Sequence, residues 1–314
     1  MIGFGVKTSQ ARDYANYANL KKVWLEAERL GYNSGWLFDH LFELPQTGPS
    51  NEPCLEAWTT LTSLAADTEK IRLGVTVICA AYRNPALLAK MASTLDVISH
   101  GRLDFGIGAG WAEAEYKAYG YTFDKPAIRI AKLRDTLRII KKMWIEEKAT
   151  YKGRYYTITD AINNPKPLQK PHPPIWVGGG GEQLTLKVTA ELADGCNFIS
   201  LTPEDYKHKL DVLQAHCAKI RRNPAEIKKS WQGRVIIAND EPQVKEKLRK
   251  FMDTPQGATR AASNNLVGTP EQCIKRIQQY KDLGITQFML VFPEAPGDLG
   301  TMRLFSEKVM PHFK

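Results

Sequence analysis

Short apolar runs alternate with amphipathic stretches from one end of the chain to the other. Runs rich in β-branched and aromatic residues predict strands near 2–6, 34–38, 71–79, 102–107, 174–177, 196–200, 231–237 and 286–292. Apolar residues at three- and four-residue spacing predict helices near 14–31, 54–67, 84–99, 128–146, 182–193, 203–220, 241–252 and 270–284, with a last one near 298–310. Boundary residues agree with this division. Pro85 stands in a first turn after Asn84, Thr269-Pro270-Glu271 opens a helix, and Gly31, Gly195 and Gly284 close helices. Eight strand–helix repeats with no linker between halves predict one α/β domain over 1–314, a closed eight-stranded parallel β/α (TIM) barrel. An open doubly wound sheet is the alternative. Two segments break the rhythm: 148–173, with a hairpin-like pattern at Lys152-Gly153, and 253–268. Both are expected as inserted loops at the barrel mouth, acting as lids or substrate walls.

Composition narrows the classes of function. The net charge of +9 comes from basic pairs such as Lys21-Lys22 and Arg221-Arg222 mixed with acids, which reads as solvated helix faces. No basic tail, RNP-like aromatic pattern or zinc finger accompanies them, so no nucleic acid is expected as a partner. No apolar stretch approaches membrane-spanning length and Met1 to Val6 reads directly as a strand, so no membrane association and a cytosolic (cytoplasmic) location are expected. Cys54, Cys79, Cys196, Cys217 and Cys273 form no CxxC pair, which suggests neither disulfides nor zinc. A small-molecule substrate is the expected partner, and a homodimer is one possible assembly.

In a barrel the chemistry sits at the carboxyl ends of the strands. The fifth predicted strand runs into four glycines, Gly178 to Gly181, followed by Glu182 and a helix. Glycine freedom and a helix start converge there, which describes a phosphate cradle. It is not a Walker A loop, because Gly181 is followed by Glu182-Gln183 rather than Lys-Ser or Lys-Thr. The second strand ends in Asp39-His40, placing an imidazole suited to proton transfer at the mouth. His100, His172, His208, His216 and His312 lie in turns, on helix faces or at the terminus, and no two are spaced as metal ligands. Gly106-x-Gly108-x-Gly110 fails as a dinucleotide fingerprint, since Trp111 occupies the third-glycine region and no acid follows at the ribose distance. It reads better as close backbone approach to a flat ring, with Trp111 as a wall.

The run EAWTTLTSLAADTEKIRLGVTVICAAYRNPALLAKMASTLDVISHGRLDFGIGAGWAEAEYKAYG (56–120), the run NPKPLQKPHPPIWVGGGGEQLTLKVTAELADGCN (164–197) and Leu37-Phe38-Asp39-His40 carry a resemblance. They resemble the luciferase-like monooxygenase superfamily, and most of all its branch of oxidoreductases dependent on the deazaflavin coenzyme F-420. The resemblance implies a luciferase-like barrel holding that deazaflavin or, alternatively, reduced flavin mononucleotide (FMN). It maps the phosphate site onto Gly178, Gly179, Gly180, Gly181 and Glu182. It places a non-prolyl cis peptide at Thr76–Val77 behind the ring, and Asp39, Cys79, Ala109 and Gly110 along the ring beside Gly108. His40 matches the proton-handling histidine of the sugar-phosphate dehydrogenase branch. One departure stands out: that branch carries a glutamate where this chain has Trp111, and Glu113 and Glu115 do not align with it. The departure argues against sugar-phosphate oxidation by that mechanism. The implied activity is hydride transfer between the deazaflavin and an unidentified small organic substrate. A reduced-FMN monooxygenase is the runner-up, and a non-catalytic flavin- or deazaflavin-binding protein is the alternative of another class. The deazaflavin's oligoglutamate tail would be favoured by the surplus of 43 basic over 34 acidic residues. An aldolase or isomerase lacks its strand-end lysine.

Overall fold

Segments such as Ser34–Leu37, four residues buried along their whole length, have no solvent face to offer and must be covered on both sides. The computed structural model, which describes residues 2–43, 51–251 and 263–313, meets that demand with a closed parallel barrel. Its strands are β1 (Gly3–Lys7), β2 (Ser34–Leu37), β3 (Arg72–Val75, resuming at Ile78–Cys79), β4 (Leu103–Gly108), β5 (Ile175–Gly178), β6 (Gly195–Ile199), β7 (Lys228–Ile237) and β8 (Gln287–Val291). Each pairs in parallel with its successor, and β8 returns to β1 in the register Gly3↔Gln287 to Val6↔Leu290, so the barrel has no open edge. All eight predicted strands are present, and the doubly wound alternative is not what forms.

The helices α1 (Tyr17–Arg29), α2 (Ala57–Asp67), α3 (Pro85–Ile98), α4 (Glu113–Ala118), α5 (Pro126–Ile145), α6 (Thr185–Leu192), α7 (Pro203–Lys219), α8 (Glu241–Phe251), α9 (Pro270–Asp282) and α10 (Gly300–Lys308) surround the strands. Their starts follow local chemistry. The Asn84 side chain accepts from the Ala86 and Leu87 amides ahead of α3, and Thr269 with Gln272 forms a capping box on α9. Most boundaries shift by a few residues, and two differences bear on the site. The helix expected from 182 begins at Thr185, because 182–184 form a turn, and α4 is a short helix that the periodicity did not reveal.

The barrel interior is filled by Trp36, Trp176 and Met289, with the two indoles edge to face at 6.2 Å. Small residues make the room: a Cβ added at Gly74 would lie 2.2 Å from Trp36, and one at Gly195 would lie 2.3 Å from Trp176. This plug closes the barrel below the mouth.

The expectation for 148–173 needs correction. Its hairpin does form, Lys148–Lys152 against Thr157–Ile162, but it lies along α5, where Asp135 accepts from the Tyr151 hydroxyl at 2.7 Å and the Tyr155 amide at 2.9 Å. Farther on, Gln169 bonds Asp96 and the Leu103 carbonyl and accepts from Arg72. Leu103 and Arg72 begin β4 and β3, so the stretch around Gln169 closes the amino-terminal face, and no residue of 148–173 lines the cavity at the mouth. The reason is topological: the segment leads from a helix into a strand, and such connections fall at the amino-terminal face. Of the second segment, 253–262 lies outside the described residues. Its remainder holds a short strand, Leu266–Gly268, parallel to the end of β7.

Candidate active site

A cavity of about 1370 Å³ opens at the carboxyl ends of the strands, and every site residue expected from the sequence lines it: Asp39, His40, Thr76, Val77, Cys79, Gly108, Ala109, Gly110, Gly178 to Gly181 and Glu182. Strand β3 supplies one wall. It breaks between Val75 and Ile78, where the Thr76–Val77 peptide is cis, and the Thr76 hydroxyl donates to Gln232 Oε1 at 2.8 Å. Val77 then projects between two neighbouring strands. A Cβ at Gly108 or at Gly178 would approach its methyl groups to 2.7 Å. Those two glycines make room for a valine, a packing reason that stands beside the ring approach expected at Gly108 and the phosphate cradle expected at Gly178. Gly110 is bound differently, with φ at +75° and a hypothetical Cβ 2.0 Å from the Tyr116 hydroxyl.

The side chains around the bulge are committed to one another. Asp39 accepts from Arg83 through both oxygens, at 2.7 and 2.9 Å, and from the Cys79 amide at 2.8 Å. Arg83 also reaches Glu56 at 2.5 Å, and Glu56 caps α2 through the Thr59 amide. Asp39 therefore fixes the wall more than it offers itself to a ligand. The Cys79 sulfur lies 3.1 Å from the Tyr116 hydroxyl, which donates to the Ala109 carbonyl. Burial pushes the Cys79 thiol up to about 11, so it stays protonated at neutral pH.

His40 is only partly buried and holds a defined orientation. Its Nδ1 lies 3.0 Å from Glu115 Oε2, and its ring meets Phe38 at 5.1 Å and Trp111 at 5.7 Å. Glu115 is fully buried, and its other oxygen accepts from the Leu41 amide at 2.6 Å while Tyr82 donates to Oε2 at 3.0 Å. Burial alone would raise its carboxyl, but the bonds from His40, Leu41 and Tyr82 outweigh it and hold the group below the ordinary value. An ionised carboxylate only accepts hydrogen bonds, so Nδ1 of His40 is the atom that donates to Glu115, and in the tautomer this selects, Nε2 is the acceptor. Trp111, more than half exposed, stands as the expected wall at the lip.

Across the cavity the glycine turn is held from outside. The Gly179 amide, part of the expected cradle, is spent on the Asn197 carbonyl at 3.3 Å. Among the described residues the amides of Gly180, Gly181 and Glu182 have no partner in the chain, which leaves three donors ahead of α6. The Glu182 carboxylate is gripped by Lys209 at 2.5 Å and His208 at 3.0 Å, and both lower its pKa, while His216 bonds the Glu182 carbonyl. The Glu182 side chain thus faces α7, and only its amide belongs to the cradle.

Glu115, Lys209, His208 and His216 escaped the sequence reading. The α7 residues carried a usable signal, since Lys209 and His216 are seven apart and share a helix face. Glu115 carried little, being one of two acids on a one-turn helix, 75 residues from its partner.

The sequence pattern of the luciferase-like monooxygenases matches residues 2–287. The chain belongs to that family. A luciferase-like relative from Microbacterium testaceum, an F420-dependent glucose-6-phosphate dehydrogenase, is 28% identical over 100% of this chain and 98% of its own length. The barrel superposes on the coenzyme F420-dependent tetrahydromethanopterin reductase of Methanopyrus kandleri with a TM-score of 0.84 at 20% identity, covering 100% of this chain and 99% of the other. A monooxygenase from Streptomyces bottropensis gives 0.82 at 21%, with both chains covered completely. These two structures share with this luciferase-like chain its fold. The residues present fit a phosphate-bearing tricyclic cofactor: three amides without a partner among the described residues at one end of the cavity, a backbone bulge along one wall and an imidazole beside it.

Proposed function

We propose that this luciferase-like protein is an oxidoreductase that uses coenzyme F420 to move a hydride to or from a small organic substrate. The observation that carries the reading is the pairing, in one cavity, of an amide cradle with a histidine whose Nδ1 is held by Glu115 and whose Nε2 has no partner among the described residues. The end-to-end similarity to an F420-dependent dehydrogenase supports the deazaflavin over FMN. When bound, a deazaflavin supplies a carbon centre that exchanges a hydride, two electrons at a time. The amides of Gly180, Gly181 and Glu182 would hold its phosphate, and the β3 bulge at Thr76–Val77 would back its ring. In the direction of alcohol oxidation, Nε2 of His40 accepts the hydroxyl proton as the carbon gives up its hydride. Glu115 acts through His40, fixing the ring by Nδ1 and stabilising the imidazolium that forms, which makes it a positioning residue. Phe38 and Trp111 are in ring contact with the imidazole and would bound the space beside it. The substrate is a small molecule with a hydroxyl or carbonyl carbon, and glucose 6-phosphate is the first to test.

Titration of the purified protein with F420 and with reduced FMN, followed by turnover with and without oxygen, tests the reading. Tighter F420 binding and oxygen-independent turnover are expected, and tighter FMN binding with oxygen consumption would overturn it. His40→Ala should lower turnover about a hundredfold while F420 affinity holds. Full activity in that variant would remove His40 from the proton step.

A further inference from the structure

Among the described residues five lysines and arginines line the cavity, and two of them, Arg12 and Lys209, are neutralised by a carboxylate. Arg12 pairs with Glu43 and Lys209 with Glu182, while Arg129, without an ion pair among the described residues, donates to the Asp124 carbonyl at 3.2 Å and stacks on the Phe123 ring. Lys7 and Arg234 are the remaining two. Both line the cavity, and among the described residues neither side chain makes an ion pair or hydrogen bond.

Their placement follows from strand register. Lys7 is the last residue of β1, one beyond the Val6↔Leu290 pair, so its level on β8 is Val291, and Val291 pairs with Arg234 of β7. The two cations therefore stand in one layer on either side of a single strand, about 10 Å apart at Cα from the usual strand spacing. Two long side chains at that separation can close on one small anion. The Lys7 ammonium lies over the Phe38 ring at 5.3 Å from its centroid, and Phe38 in turn meets His40. One ring thus separates this cation from the imidazole.

We propose that Lys7 and Arg234 form a binding site for an anionic group, a carboxylate or phosphate, carried by the substrate whose reacting carbon sits at His40. The proposal rests on the oxidoreductase reading for the role of the anion, while the site itself stands on the register and the missing counter-charges. Burial and the charge of Arg234 together lower the Lys7 pKa to about 8, and a bound anion would relieve that opposition. The substrate class is then an anionic alcohol or carbonyl compound, such as a sugar phosphate or a hydroxy acid, rather than a neutral alcohol.

The test uses inorganic sulfate, titrated by calorimetry into the F420-loaded protein, with F420 affinity measured in parallel. Lys7→Met/Arg234→Met should weaken sulfate binding at least about tenfold, each single change should weaken it less, and Lys7→Arg should preserve it. F420 affinity should hold within about twofold in all of them. The single variants, checked by thermal melting, carry the test if the double variant fails to fold. Undetectable sulfate binding to the wild type, or binding unchanged in the variants, overturns the proposal. A tenfold loss of F420 affinity also overturns it, because the pair would then serve the cofactor's acidic tail. Failure of wild-type protein to bind F420 would sink the cofactor reading alone, and the same wild-type and variant comparison on cofactor-free protein would still read the pair.

Discussion

The wall built from β2, β3 and α4 and the wall built from β5 and α6 face each other across one cavity but are made by opposite means. On the first, side chains interlock: Arg83 joins Asp39 to Glu56, Glu115 joins His40 to Tyr82, and Tyr116 joins the Cys79 sulfur to the Ala109 carbonyl. On the second, main-chain amides are left open, and side chains hold the turn only from behind, through Lys209, His208 and His216. A proton-handling group needs one orientation, which interlocked side chains provide. A phosphate needs several donors at once, and backbone amides at a turn provide them without side-chain entropy. Damage to the first wall should therefore appear as lost stability, and damage to the second as lost affinity.

The largest effect is expected at Gly110. Gly110→Val places a branched side chain at φ +75° against Tyr116 and Cys79, and should cost about 3 kcal/mol or more in denaturant unfolding. A loss below about 1 kcal/mol would show that this wall yields. On the opposite wall, Gly180→Val meets only the Lys209 side chain, at 3.5 Å from its Cβ, so the fold should hold. F420 affinity should fall about tenfold or more as the branched group fills the cradle, and unchanged affinity in the folded variant would break the comparison. The smallest effect concerns pH. Glu115 has a carboxyl held below its unfolded value, so the stabilisation is complete above the ordinary carboxylate range and is lost as pH falls through the lowered value. Unfolding measured from about pH 6 down to about pH 3 should be less steeply pH-dependent in Glu115→Gln than in the wild type. Identical slopes would mean that the carboxylate contributes no linkage.

The two walls also differ in how far they could be read in advance. Four consecutive glycines between a strand and a helix stand out locally, and Asp39-His40 is a strand end, so their place at the cavity was legible once the barrel rhythm was counted. The interlocking partners were not. Glu115 meets His40 across 75 residues and Lys209 meets Glu182 across 27, and such pairings exist only after the strands have closed. Gly108 and Gly178 show the same limit. Their glycine character was visible, but the packing reason for it, the Val77 side chain arriving from a third strand, was not. The misplaced 148–173 segment was a matter of counting connections: it precedes a strand, and the direction of the repeat decides which face it closes.

Trp111 has a different standing from all of these residues. It touches the His40 ring edge-on, carries no hydrogen bond among the described residues and leaves more than half of its surface to solvent. Nothing in the packed frame depends on its indole, so changes at this position alter what reaches the imidazole while the barrel beneath stays as it is. Selection, natural or in the laboratory, can therefore vary the clientele of this enzyme at the doorway and leave the machinery behind it untouched.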